Sequence, residues 1–149
     1  MKRYLFLDVD GVLNNHRWSM ARSGQPHEPD RVFDNQIDPA CVFVLRELVD
    51  ALEAEVVLSS TWRGHTRTEA ALARAGVPDW IGRTPQLDSR VRGHEIAYWM
   101  RENGVTADQV VILDDDDDMA HLLPRLVQTD AEFGLVAHDF VQVLALFGL

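Results

Sequence analysis

Cysteine is almost missing from this chain: Cys41 is the only one, so no disulfide can close within it, and a reducing compartment is expected. Cys41 lies in the apolar series Val42, Val44, Leu45, Leu48, where a thiol behaves as a small hydrophobe. No apolar run approaches the length that spans a bilayer. The first run, Tyr4-Leu5-Phe6-Leu7, follows a charged start but meets Asp8 after four residues, too soon for the core of a signal peptide. The expectation is a soluble, cytoplasmic protein with no membrane partner. Positive charge is also scarce, with 14 Lys and Arg against 24 Asp and Glu, a formal net charge of −10. Such an excess repels polyanions at long range and counts against a broad nucleic-acid-binding surface. Much of it is local, however. Asp114 to Asp118 place five negatives in one run, and Asp8 and Asp10 add two more. A bound cation could offset these.

What is present is a single core. At 149 residues and 46% hydrophobic content, one domain over residues 1–149 can bury enough apolar surface without staples. Short apolar runs at Tyr4-Leu5-Phe6-Leu7, Val56-Val57-Leu58, Val110-Val111-Ile112-Leu113 and Leu126-Val127 alternate with helical patterns. That alternation predicts an α/β fold: a central parallel sheet with helices on both faces, in three layers. One helix starts with Asp38 as N-cap and Pro39 at its first position, with Val42, Leu45, Val49 and Leu52 on one face. Others are expected over about 66–75, stopped by Gly76, over about 93–103, stopped by Gly104, and over about 137–147. The polar stretch 14–36 contains Gly24, Pro26 and Pro29 and reads as a long loop or flap. There is no internal repeat and no low-complexity linker.

In an open parallel sheet a ligand binds beyond the carboxyl ends of the strands. Here every such end is polar: Asp8-Val9-Asp10-Gly11, then Ser59-Ser60-Thr61, then Asp114 to Asp118. Carboxylates clustered at one sheet end repel one another, and a hard dication held by oxygen ligands is the simplest remedy, so a Mg²⁺ site is expected. The hydroxyls of Ser59, Ser60 and Thr61 would suit a phosphoryl oxygen.

Residues 4–12 resemble the first motif of the haloacid dehalogenase-like (HAD) phosphatases. The order of the later parts also resembles that superfamily: a strand ending in Ser, a basic residue opening a helix, and a strand ending in paired acids. More narrowly, Ser59-Ser60-Thr61-Trp62-Arg63, Arg92-Gly93-His94-Glu95-Ile96 with Trp99, and Leu113-Asp114-Asp115-Asp116 resemble the HAD domains of Swiss Army Knife RNA-repair proteins. The resemblance implies a Rossmann-like fold and an aspartyl-phosphate mechanism. Asp8 would be both nucleophile and metal ligand. Asp10 would be the acid and base, with its backbone carbonyl on the metal. Gly11 permits the sharp exit from the strand that two cooperating residues at i and i+2 require. Ser59 is the second-motif candidate, with Ser60 one residue away. Arg92 is the basic residue, with Arg90 as its alternative. Asp115 and then Asp114 are the remaining metal ligands, and Asp118 completes another possible spacing.

Arg63 and Arg67 would lie near the site as phosphate ligands, or else make surface ion pairs with Glu69 and Glu95. Trp62 either stacks on a base or sugar or packs on the core. His16, His27 and His65 either line a pocket or lie exposed in loops. The stretches 11–37 and 62–91 are each too short to fold as a full cap domain, so an open site with a minimal cap or none is expected. An open site admits a bulky phosphorylated partner such as an RNA or DNA end. Two alternatives stay open: a metabolite or nucleotide phosphatase gated by oligomerisation, and a non-catalytic binding module that keeps the fold.

Overall fold

Period-two alternation along the apolar runs decides which layer each side chain joins. The computed structural model describes residues 1–26 and 29–149. In chain order it contains β1 (Arg3–Leu7), α1 (His16–Arg22), α2 (Pro39–Leu52), β2 (Ala54–Leu58), α3 (Thr66–Arg74), β3 (Trp80–Arg83), α4 (Arg92–Glu102), β4 (Val110–Asp114), β5 (Leu126–Gln128) and α5 (Ala137–Leu146). The strands form one parallel sheet in the order β3-β2-β1-β4-β5. Leu5, Leu7, Val56, Leu58, Val111 and Leu113 turn to one face, in a core completed by α2, α3 and α5. Phe6, Val57, Val110 and Ile112 turn to the other, against Ile96 and Met100 of α4. Each such fully buried aliphatic side chain contributes on the order of 2 kcal/mol. This is the expected three-layer, Rossmann-like α/β sandwich.

The helix signals act where the sequence places them. The Asp38 carboxylate accepts the Ala40 N–H at 2.9 Å and caps α2, which ends at Glu53 in the left-handed region, φ 49°. Cys41 is buried on the inner face of α2, and burial pushes its thiol up to about 11. Among the described residues, no helix is long and apolar enough to cross a membrane.

Two expectations need correction. The 14–36 stretch is not merely a loop: it carries α1 and two short 3-10 turns, at Pro29–Arg31 and Asp34–Gln36. Asn15 is the signal for α1, since its side-chain oxygen accepts the Trp18 N–H at 2.8 Å and its amide donates to Asp38 at 2.7 Å. None of the α1 residues is buried, so this helix lies outside the core, although Phe33 further along the segment packs against that core. Second, residues 62–91 contain a fifth strand. β3 is a half-exposed edge strand, joined to β2 with a shift in register between Val56 and Val57.

The chain runs outward from β1 through β2 to β3, then returns across the sheet to place β4 on the other side of β1. The order therefore reverses between β1 and β4. At such a switch point the connections diverge and leave a crevice at the carboxyl ends of the two strands.

Candidate active site

The crevice is lined by acids because alternation continues past the apolar runs. The ladder extends by one bond on each side of β1: Asp8 N–H donates to the Leu113 carbonyl at 3.0 Å, and Ser59 N–H to the Leu7 carbonyl at 2.9 Å. Carboxylate oxygens of Asp8, Asp114 and Asp115 all come within 4.8 Å of one another. Asp8 is 6% and Asp114 2% exposed.

Burial, followed by the charge of Asp114, pushes the Asp8 carboxyl from 3.8 up to about 8. Burial likewise raises Asp114, to about 6. Arg92, at the first position of α4, supplies the opposing charge. Its guanidinium lies 3.5 Å from Asp114, 4.0 Å from Asp8 and 3.6 Å from Glu95. One arginine does not neutralise three carboxylates. An all-oxygen donor set with surplus negative charge fits a hard divalent cation, and the cluster can coordinate one.

Two glycines set the spacing. Gly11 is buried at φ +77°, and a side chain there would meet the Asp115 carboxylate. Its carbonyl is held by the buried Thr129 hydroxyl at 2.7 Å. Gly93 brings the first turn of α4 against the backbone of the acidic loop, where a Cβ would collide with the Met119 carbonyl. Asp118 does not join the carboxylate cluster; it holds this helix end. Its side chain accepts the Arg92 N–H at 3.1 Å and its carbonyl accepts the Gly93 N–H at 3.0 Å. Asp116 and Asp117 are exposed and make local turns. Gly93→Ala should therefore displace Arg92 from the carboxylates and cost about 1–3 kcal/mol by overpacking. Thermal unfolding checks this, and an unchanged midpoint would show that the loop gives way freely.

The Asp10 carboxylate is not one of the three clustered acids but lines the same pocket, at its exposed mouth. One oxygen, Oδ1, accepts both the Asn14 amide at 2.8 Å and the Trp62 indole N–H at 3.1 Å, while Oδ2 makes no hydrogen bond among the described residues. Trp62 is thus a core residue with a polar tip. Its ring meets Phe33 edge-on, with centroids 5.4 Å apart, and its backbone is held by Ser60 Oγ and Thr68 Oγ1. Sequence reasoning missed Asn14 altogether, although its i+4 spacing from Asp10 in a tight turn was a usable signal. Its side-chain oxygen, Oδ1, accepts the Gly11 N–H at 2.9 Å, fixing the loop.

Ser59 is fully buried and its hydroxyl has no hydrogen-bond partner among the described residues; Ser60 is also buried, and its hydroxyl accepts from Trp62. Thr61 is exposed and lines the acidic pocket, whose volume is about 190 Å³. Arg63 turns inward instead. It donates to the carbonyls of Thr84 at 2.8 Å and Ser60 at 2.6 Å, and pairs with Glu95 at 3.3 Å. Arg90 stays at the surface, outside the carboxylate cluster. His16 and His65 are exposed; His27 lies outside the described residues.

Residues 4–140 match the family described as the HAD domain in Swiss Army Knife RNA repair proteins. No curated protein matches the chain in sequence. Among solved structures, a haloacid dehalogenase-like hydrolase from Streptococcus pneumoniae superposes with a TM-score of 0.56 at 10% identity, over 95% of this chain and 90% of that one. A hypothetical protein from Xanthomonas campestris gives 0.51 at 18% identity, over 99% and 84%. At these identities the superpositions speak to the fold alone. The match over nearly the whole chain, with aspartates converging at the sheet's switch point, makes this a HAD-superfamily hydrolase domain that belongs to the family found in Swiss Army Knife RNA-repair proteins.

Proposed function

We propose that the chain is a Mg²⁺-dependent phosphomonoesterase that works through an aspartyl phosphate on the terminus of a nucleic-acid strand. The observation that carries the chemistry is the division of labour among its acids. Asp8, Asp114 and Asp115 converge under Arg92, whereas Asp10 lies at the pocket's mouth with one oxygen fixed and the other making no hydrogen bond among the described residues.

Asp8 attacks phosphorus, the ester P–O bond breaks, and Asp10 gives its proton to the departing oxygen. Asp10, now a carboxylate, takes a proton from water. That water displaces the phosphoryl group from Asp8, which regenerates both residues and frees inorganic phosphate. Arg92 and the Thr61 hydroxyl line the pocket as donors to the phosphoryl oxygens, with Ser59 buried directly beneath them at the end of β2. A bound Mg²⁺ supplies charge neutralisation and orientation of the phosphoryl oxygens. Arg63 serves chiefly to brace the Ser60 and Thr84 backbone beneath the pocket, since its donors are engaged there.

The nucleic-acid assignment rests on the family and on access. The stretch between β2 and α4 builds α3 and β3 of the core, not a lid, and the 14–36 segment is small. Phosphate release from 5′- and 3′-phosphorylated oligonucleotides, compared with sugar phosphates and free nucleotides, tests it. Much faster turnover of the small compounds would remove the nucleic-acid reading.

The indole of Trp62 positions Asp10 as the acid. Trp62→Phe should cut kcat about 10- to 100-fold on nucleoside phosphates, whose poor leaving group needs a proton. On p-nitrophenyl phosphate, whose leaving group needs none, the first-turnover burst of p-nitrophenol should hardly change, because only the later hydrolysis step still calls on Asp10. An equal loss on both substrates would make Trp62 a packing residue only.

A further inference from the structure

Beside the acidic pocket runs a groove of about 640 Å³, within the usual range of ligand sites. The two share Thr61, Arg92 and Asp118 and so adjoin along that rim. The groove collects Arg63, Arg83, Arg90 and Arg92 against Glu95 and Asp118. In a chain of net charge −10, that concentration of cations is local and stands against the overall trend.

These arginines differ in what they already hold. Arg63 is engaged by carbonyls and Glu95, Arg92 by the carboxylates, and Arg83 by a two-pronged pair with Glu69. Arg90 makes no side-chain hydrogen bond or ion pair among the described residues, and it is exposed at the groove's edge. Its backbone sits at φ 53°, a left-handed conformation that disfavours a side chain by about 1 kcal/mol. A residue with a free guanidinium is thus kept where glycine would be easier. Thr61, Gln86 and His65 add polar groups along the same wall.

We propose that this groove is a second-phosphate subsite: it takes the phosphodiester next to the terminal phosphate of the strand, with Arg90 as its principal ligand. The inference rests on the nucleic-acid reading above and extends it. The strand then crosses the Thr61 rim, its terminal phosphoryl group under Arg92 and the next phosphate opposite Arg90. Arginine suits that task through its paired donors.

The test compares kcat/KM for a nucleoside monophosphate with that for a short oligonucleotide carrying the same terminal phosphate. The oligonucleotide should be favoured about 10- to 100-fold, the range of one charge-assisted contact. Arg90→Gly should remove that preference, leave the mononucleotide rate unchanged and not lower the unfolding midpoint, because glycine accepts the left-handed backbone more easily than arginine. Arg90→Lys, which keeps the charge but not the fork, should retain part of it. Equal efficiencies in the wild type, or a preference that survives Arg90→Gly, would overturn the subsite. A phosphopeptide used as efficiently as the strand, with the same dependence on Arg90, would overturn the nucleic-acid assignment.

To separate this from failure of the phosphatase reading, fluorescence anisotropy of a labelled, phosphorylated strand is measured on Asp8→Asn with Mg²⁺. Tight binding lost in Asp8→Asn/Arg90→Gly supports the groove even without turnover. Binding that ignores Arg90 sinks it.

Discussion

Asp8→Asn should lower phosphate release by on the order of 10⁴-fold or more, the scale seen when a covalent nucleophile is removed. The amide has the size of the carboxylate but no charge with which to attack phosphorus, so fold and access are kept while the first step is lost. The substitution should not unfold the protein. It removes one of three crowded acids, and in the absence of metal the amide replaces a carboxyl that burial already keeps largely protonated below about pH 8. The check is the phosphate-release panel run in Mg²⁺ and in chelator, with unfolding midpoints alongside. Turnover retained in a well-folded Asp8→Asn would exclude the nucleophile assignment, and no turnover by the wild type on any substrate would favour a binding module.

Divalent metal should have the second largest effect, on both activity and stability. Chelation should abolish turnover. At 100 times its dissociation constant the ion should stabilise the fold by about 2.7 kcal/mol, a rise of several degrees for a domain of this size. The effect should depend on pH in a defined direction. Metal-free, Asp8 titrates near 8 and Asp114 near 6 in the folded protein, against 3.8 for an ordinary carboxylate. Below pH 4 both states are protonated and these groups contribute nothing. As pH rises towards 8, the unfolded chain releases protons that the native state retains, so stability falls across that window. Mg²⁺ should flatten the fall, and Asp8→Asn should remove most of it. Thermal unfolding at pH 5 and pH 8, with and without the ion, gives the four values needed. A wild-type protein that gains stability between these pH values without metal would contradict the crowded-carboxylate picture. So would an ion that stabilises an Asp8→Asn/Asp115→Asn double variant as much as the wild type.

The parts of the site that were legible in the sequence share one physical origin. Asp8, Ser59 and Asp114 each follow an uninterrupted apolar run, and in a parallel sheet such runs must be buried strands whose ends meet. Arg92 could be singled out because Arg92-Gly93 opens a helical pattern, and Gly93 turns out to be the residue that lets that helix approach. β3 was not legible. Trp80-Ile81-Gly82-Arg83 is short, half-exposed and interrupted by glycine, because an edge strand has only one neighbour to pack against. Nor could the inward turn of Arg63 be foreseen, since its partners Thr84, Pro85 and Glu95 come from elements distant in sequence. The link between Trp62 and Asp10 spans 52 positions and depends on β1 and β2 lying side by side. In the run from Asp114 to Asp118, composition alone could not show that the first two join the cluster while the last caps α4. That division follows from the strand ending at Asp114 and the loop then returning to the helix.

The most direct measurement is to trap the phosphoryl-enzyme. Wild-type protein is mixed with Mg²⁺ and an aryl phosphate as a generic phosphoryl donor, quenched in acid within its first turnovers, and its peptides are mapped by mass spectrometry. The account predicts one phosphoryl group, on Asp8, absent from Asp8→Asn and from samples with chelator. Steady turnover with no modified Asp8, or with the label on another residue, would contradict it.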